Sequence, residues 1–251
     1  MSREVLPGVF ELFFPRAIVN AYVVLADVPT IIDTGTPGGA GRIRSVLAKA
    51  GVAERDVGRI LLTHRHADHA SNAVDLARTT GATVHVSPAD APFFEGGREQ
   101  PRPLAATALG RLLVPYVKVA LPWTLDALAV EPSLSDGATV GPFRVIATPG
   151  HTEGHVSLLW EQRGILFTGD AAANLTGVGP HPAADDPEQA EASFATLAGY
   201  EFESACFGHG RTLRTGARAK VPQRVSAASS LTPKYVRGKG RTRVEISCRR
   251  P

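Results

Sequence analysis

The stretch Thr63-His64-Arg65-His66-Ala67-Asp68-His69 constrains this 251-residue chain more than any other feature. It gathers three of the chain's eight histidines and a carboxylate directly behind Arg59-Ile60-Leu61-Leu62, an apolar run that reads as a short strand. Side chains alternate along an extended segment, so His64, His66 and Asp68 are expected to point the same way, with His69 following as the chain bends into a helix. Two neutral imidazoles and a carboxylate converging past a strand end form a donor set suited to Zn²⁺, Fe²⁺ or a similar ion.

Further ligands have to come from other strand ends, because sites collect on loops held by a rigid scaffold. Three segments share one form, an apolar strand, a small residue and then a ligand-type side chain. They are Thr148-Pro149-Gly150-His151, Phe167-Thr168-Gly169-Asp170 and Phe207-Gly208-His209-Gly210. His151, Asp170 and His209 are therefore candidate partners of the cluster.

Hydrophobic periodicity and turn residues predict strands over 5–14, 17–25, 30–33, 59–63, 83–87, 138–147, 155–161, 164–168 and 204–207. Helices are expected over 38–50, 71–80, 104–113, 187–198 and 215–227. Strands followed by a helix in each half suit two sheets packed face to face with helices outside. Residues 88–132 break the rhythm with seven prolines and read as an irregular insertion lying over the site. Its Phe93, Phe94, Tyr116 and Trp123 either line an apolar pocket for an acyl or ring-bearing substrate or anchor a long loop. His181, between Pro180 and Pro182, is either at the pocket mouth or an ordinary loop residue.

Composition narrows the class. Hydrophobic residues make up 43% and charged residues 20%, as in a soluble globular protein with a sizeable core. No apolar run approaches the roughly 18 residues of a membrane span, and Glu4 with Pro7-Gly8 interrupts any signal-peptide core, so a cytoplasmic protein without a membrane partner is expected. Cys206 and Cys248 are too far apart and too few for a disulfide framework or a thiolate metal site. The net charge of +3 hides an asymmetry: from Arg211 onward twelve Lys/Arg face the single acid Glu245. The organisation expected is a catalytic domain over 1–228 and a basic, disordered tail over 229–251. A nucleic-acid-associated protein that binds through this tail is the alternative from a different class, although no aromatic stacking pattern accompanies the charges beyond Tyr235.

The set THRHADH, TPGHTEGH, FTGD and FGHG resembles the metallo-β-lactamase superfamily in order and spacing, over nearly the whole body. The resemblance implies an α+β fold, a four-layer αββα sandwich, with two divalent metal ions at one edge, Zn²⁺ first and Mn²⁺ or Fe²⁺ as alternatives. It implies that His64, His66 and His151 hold the first metal, that Asp68, His69 and His209 hold the second, and that Asp170 bridges them. Asp68 would also steer the attacking water. The implied reaction is attack by a metal-bridging hydroxide on a small ester, lactone or thioester. Asp33, in Ile31-Ile32-Asp33-Thr34-Gly35, either orients a ligand histidine or caps the glycine-rich turn that follows. His155 looks like the corresponding histidine of glyoxalase II and either supports the site or is a strand residue bonded to backbone. The aromatic and the basic helical domain expected around glutathione have no counterpart here. Another branch implied is a mononuclear iron persulfide dioxygenase using only His64, His151 and Asp170.

Overall fold

The structure is a computed structural model and describes residues 2–120 and 122–221, without the side chains of 117–120. Its larger sheet begins as an antiparallel meander of Ser2–Leu6, Val9–Phe14, Val19–Leu25 and Pro29–Ile32. It continues in parallel through Arg59–Leu61 and Thr83–His85, with the helices Ala40–Lys49 and Ala73–Thr80 making the crossovers. The short strands His209–Gly210, Ala173–Asn174 and Val178–Gly179 extend its other side, His209 pairing with Val19. The second sheet runs in the order Ser204–Cys206, Ile165–Phe167, Val156–Trp160, Phe143–Ala147 and Thr139–Val140.

Neighbouring residues of one strand feed different cores, which is why these strands read as continuous apolar runs. Val24, Ile32, Leu61, Val145, Leu158 and Phe167 fill the space between the sheets. Val23, Ile31 and Ile60 turn outward against Ile43, Val46, Leu47 and Leu76 of the two crossover helices. Ile146, Leu159 and Leu166 turn the other way, against Phe194 of the helix Pro187–Thr196 and against Leu197. Three apolar layers between helix, sheet, sheet and helix make the four-layer αββα sandwich.

Several expected elements take a different form. The run over 5–14 is cut by a tight turn at Pro7-Gly8, where Gly8 adopts a φ of 72° that a side chain would resist. The helix expected over 104–113 starts later, at Ala108, and runs to Ala120 through Pro115. Leu104–Ala105 instead pairs with Ala183–Ala184, fastening the insertion across the loop beyond Asp170. Only a 3₁₀ turn, Arg218–Lys220, falls within the described part of the helix expected over 215–227. Cys248 and the basic segment 229–251 lie outside the described residues. Among the described residues no helix is long and apolar enough to cross a membrane.

Candidate metal centre

The His-rich segment divides into two geometries. His66 keeps an extended backbone, φ −60° and ψ 146°, and the short helix Ala67–Ala70 begins immediately after it. His64 and His66 therefore meet His151, whereas Asp68 and His69 are turned by the helix toward His209. This corrects the expected alternation of 64, 66 and 68: the helix starts one residue too early for Asp68 to share the face of the first two histidines. Asp170 stands between the groups, with Oδ1 3.4 Å from His69 Nε2 and Oδ2 3.2 Å from both His151 Nε2 and His209 Nε2. His209 Nε2 is 3.6 Å from Asp68 Oδ2, and His66 Nδ1 is 2.9 Å from His151 Nε2.

Buried polar atoms are nearly always partnered. Among the described residues His64 Nε2, His66 Nε2, His69 Nε2, His209 Nε2 and Asp170 Oδ1 are buried without a hydrogen-bond partner. Burial holds His64, His66 and His151 well below the usual imidazole range, leaving them neutral donors of a lone pair. Burial also works against ionised Asp170, but His209, His181, His69 and His151 around it outweigh that and hold its carboxyl well below the usual range. Against the effect of burial, Asp170 and Asp33 raise His69 above the usual imidazole range, and Asp170 and Asp68 raise His209, so without a cation these two compensate the carboxylates by holding protons. Imidazoles around a carboxylate, with unpartnered nitrogens facing inward, are the donor set of a divalent cation, which takes the place of those protons.

The surrounding bonds select which nitrogen faces inward. Asp33 Oδ2 lies 2.8 Å from His69 Nδ1 and accepts its hydrogen bond, which turns Nε2 toward the cluster. Asp33 also accepts from the Thr63 amide and hydroxyl, and Thr63 Oγ1 lies 3.0 Å from His64 Nδ1, so one carboxylate orients two histidines of the cluster. It does so from a φ of 57°, a left-handed conformation uncommon for a residue with a side chain. The other role considered for Asp33 falls to Asn72, whose Oδ1 accepts from Gly39 and Ala40 at the start of the helix.

His151 Nδ1 donates to Ala183 O at 2.8 Å. His155 is buried beneath the site, and its Nε2 accepts the Asp170 amide at 2.8 Å while Nδ1 faces Thr148 Oγ1. Burial pushes its imidazole down to about 3, so it stays neutral and positions the Asp170 loop. A Cβ at Gly169 would come within 2.6 Å of His155 Nε2, and one at Gly208 within 2.0 Å of Asp170 Oδ1, which explains the glycine in FTGD and in FGHG.

The fold brings His181 against the cluster. Its Nε2 is 3.4 Å from Asp170 Oδ2, and its ring packs at 4.6 Å on His151 and 4.8 Å on His209. Composition alone left it open because the element that aims it is a carbonyl, Ala183 O, 2.8 Å from Nδ1.

A cavity of about 330 Å³ opens over the cluster, lined at its base by His66, Asp68, His151, Asp170, His181 and His209 and above by Leu113, Tyr116, Trp123 and Leu175. Phe93 and Phe94 are not part of this lining, which corrects the expectation for them. The 3₁₀ turn Ala91–Phe94 buries Phe94 in the outer core and stacks Phe93 between the guanidinium groups of Arg65, at 4.3 Å, and Arg98, at 4.4 Å. They anchor the insertion. His85, half-buried on its strand, bonds Ser133 and takes no part in the site.

Arg65, passed over within the His-rich segment, is 1% exposed and pairs with Asp90 at 2.6 Å and Asp185 at 2.5 Å. Burial lifts the Asp185 carboxyl to about 6 despite the pull of Arg65. A carboxyl raised in the fold binds its proton more tightly there than in the unfolded chain. Its contribution to stability is therefore present below the unfolded value of about 3.9 and is lost as the pH rises through about 6. Metal-free protein is expected to lose urea resistance across that window, and Asp185→Asn, which keeps the neutral form, to lose less. Equal losses in the two proteins would contradict this account.

A family model described as the metallo-beta-lactamase superfamily matches residues 15–209. The uncharacterized protein YobT of Bacillus subtilis (strain 168) is 30% identical over 81% of this chain and 88% of its own length. A hydroxyacylglutathione hydrolase of Acidiphilium cryptum (strain JF-5) is 39% identical, but over 45% of this chain and only 32% of its own length. The crystal structure of TTHA1623 in a di-iron-bound form superposes with a TM-score of 0.64 at 27% identity, covering 85% of this chain and 98% of that one. With that match lying over a sandwich whose sheet edge holds the His/Asp cluster, the chain belongs to the metallo-β-lactamase superfamily as a metal-dependent hydrolase.

Proposed function

We propose that the chain is a dinuclear hydrolase of small ester, thioester or lactone bonds, with zinc as the favoured metal. His64, His66 and His151 would hold one cation, Asp68, His69 and His209 the other, and Asp170 both. The observation that carries this reading is the convergence of unpartnered, buried imidazole nitrogens on Asp170 from two sides. The cations, when bound, bring a water's pKa toward neutrality and polarise the scissile carbonyl.

The chain's own groups do the rest. Asp68 is placed to accept a hydrogen bond from the attacking water and orient it. Asp33 and Thr63 hold His64 and His69 in the tautomers that ligate, and His155 fixes the backbone at Asp170. His181 faces the cavity beside Asp170, where its ring can hydrogen-bond an oxygen or sulfur of the substrate. The apolar wall above excludes water from the reacting bond.

Elemental analysis of purified protein, with an ester, thioester and lactone panel run on the same sample, tests the reading. About two cations per chain and turnover of one panel member are expected. A single iron per chain, an inert panel and oxygen uptake with a persulfide would replace it with the dioxygenase.

A further inference from the structure

Among the described residues the large apolar side chains left exposed are Ile18, Leu104, Leu112 and Tyr116. Two of them stand at one place, and a third shares a helix face with one of these. Ile18 and Tyr116 line the cavity over the metal centre. Leu112 stands one helical turn before Tyr116 on the same face of Ala108–Ala120. Leu104 follows Pro103, itself part of the lining. Ile18 is held there at a φ of 56°, a genuine outlier for a β-branched residue. Apolar surface concentrated around a cavity, and not scattered singly, marks a place where something apolar sits.

Besides its base, the polar side-chain groups lining the cavity below this collar are Gln100, Arg16, the Tyr116 hydroxyl and the Trp123 indole N–H, and the rest of the lining is apolar. Its walls of Pro103, Leu113, Pro122, Trp123 and Leu175 offer few partners for a peptide-like group. A ligand that puts its reacting carbonyl at Asp170 must therefore carry an apolar remainder past Leu113 and Trp123 toward the collar.

We propose that this cavity binds an aliphatic acyl or alkyl chain, and that the substrates are esters, thioesters or lactones of such chains in preference to those with polar or peptidic groups. The substrate class rests on the hydrolase reading above; the apolar subsite does not. Each methylene buried adds ~0.8 kcal/mol, which is about a fourfold gain in affinity per carbon until the cavity is full.

Two measurements separate these claims. The first is binding of a 1-alkanol series, from butanol to decanol, to the full-length protein, followed by Trp123 fluorescence in a Trp160→Phe background. Affinity should rise about fourfold per carbon, and Tyr116→Glu at the exposed mouth should flatten the slope. The second is kcat/KM on p-nitrophenyl esters from acetate to decanoate with metal-loaded enzyme, which should climb with chain length in parallel. Alkanol affinity that does not vary with chain length overturns the subsite, and turnover with a flat series overturns the substrate preference while leaving the hydrolase intact. Steep alkanol binding with no ester hydrolysed upholds the subsite and overturns the hydrolase reading. A dimer seen by light scattering and dissociated by Leu112→Glu, with a flat alkanol series, would give the collar to a second copy of the chain.

Discussion

Asp170→Ala is expected to lower turnover by about three orders of magnitude and to leave the protein with less than its full complement of metal. The Asp170 carboxylate reaches both halves of the cluster: its two oxygens lie near His69, His151 and His209, and the last of these also faces Asp68. Removing the carboxylate takes away the donor proposed to be shared. It also removes the negative charge that favours cations among so many imidazoles. Asp170→Asn separates the two contributions, since the amide keeps the shape and one acceptor but loses the charge. If charge dominates, Asn should fall close to Ala in both metal content and rate. If shape dominates, Asn should retain metal and lose rate only. A protein with Ala at this position that holds both cations and turns over at the wild-type rate would remove Asp170 from the site.

The motifs that the fold brings into one His/Asp cluster are legible because each is local. A strand end, a glycine and a ligand side chain occur within four residues in FTGD and FGHG, and the glycine is required by contacts of 2.6 Å and 2.0 Å that a Cβ would make. The sandwich was legible for a related reason: runs such as Ile31-Ile32 and Leu158-Leu159 are apolar at both parities, which only a sheet covered on both faces demands. What escaped depends on partners distant in sequence. The supports of His151 and His181 converge on one backbone carbonyl, Ala183 O, which leaves no trace in residue identity. Phe93 and Phe94 look like any pocket aromatics until Arg65 is seen between Phe93 and two carboxylates. The two-residue strands at Ala173, Val178 and Ala183 are too short to carry a periodicity.

Arg65 supports the second large prediction. Arg65→Met keeps the length and the apolar stem but removes the charge between Asp90 and Asp185. Asp90 is 1% exposed and also accepts from the Arg65 amide, Thr152 Oγ1 and the Gly154 amide, so it ties the insertion and the loop of His151 to the segment of His64 and His66. Asp185 accepts from Arg65 while its own amide donates to the His151 carbonyl, fastening a further loop. Breaking a buried pair by deleting one partner costs about 3–5 kcal/mol, chiefly because a buried charge is left uncompensated. Against a total stability of about 5–15 kcal/mol, this brings the metal-free protein close to unfolding, with a fall in Tm of about 10 °C or more. The cause can be checked directly. Adding Asp90→Asn and Asp185→Asn to Arg65→Met removes the stranded charges and should recover part of the lost Tm, whereas the same two changes in the wild-type background strand Arg65 and should lower it. A Tm unchanged in Arg65→Met would mean that the three loops are held by backbone bonds alone. Recovery of Tm without recovery of metal affinity would show that the guanidinium also sets the spacing of the histidines on either side of it.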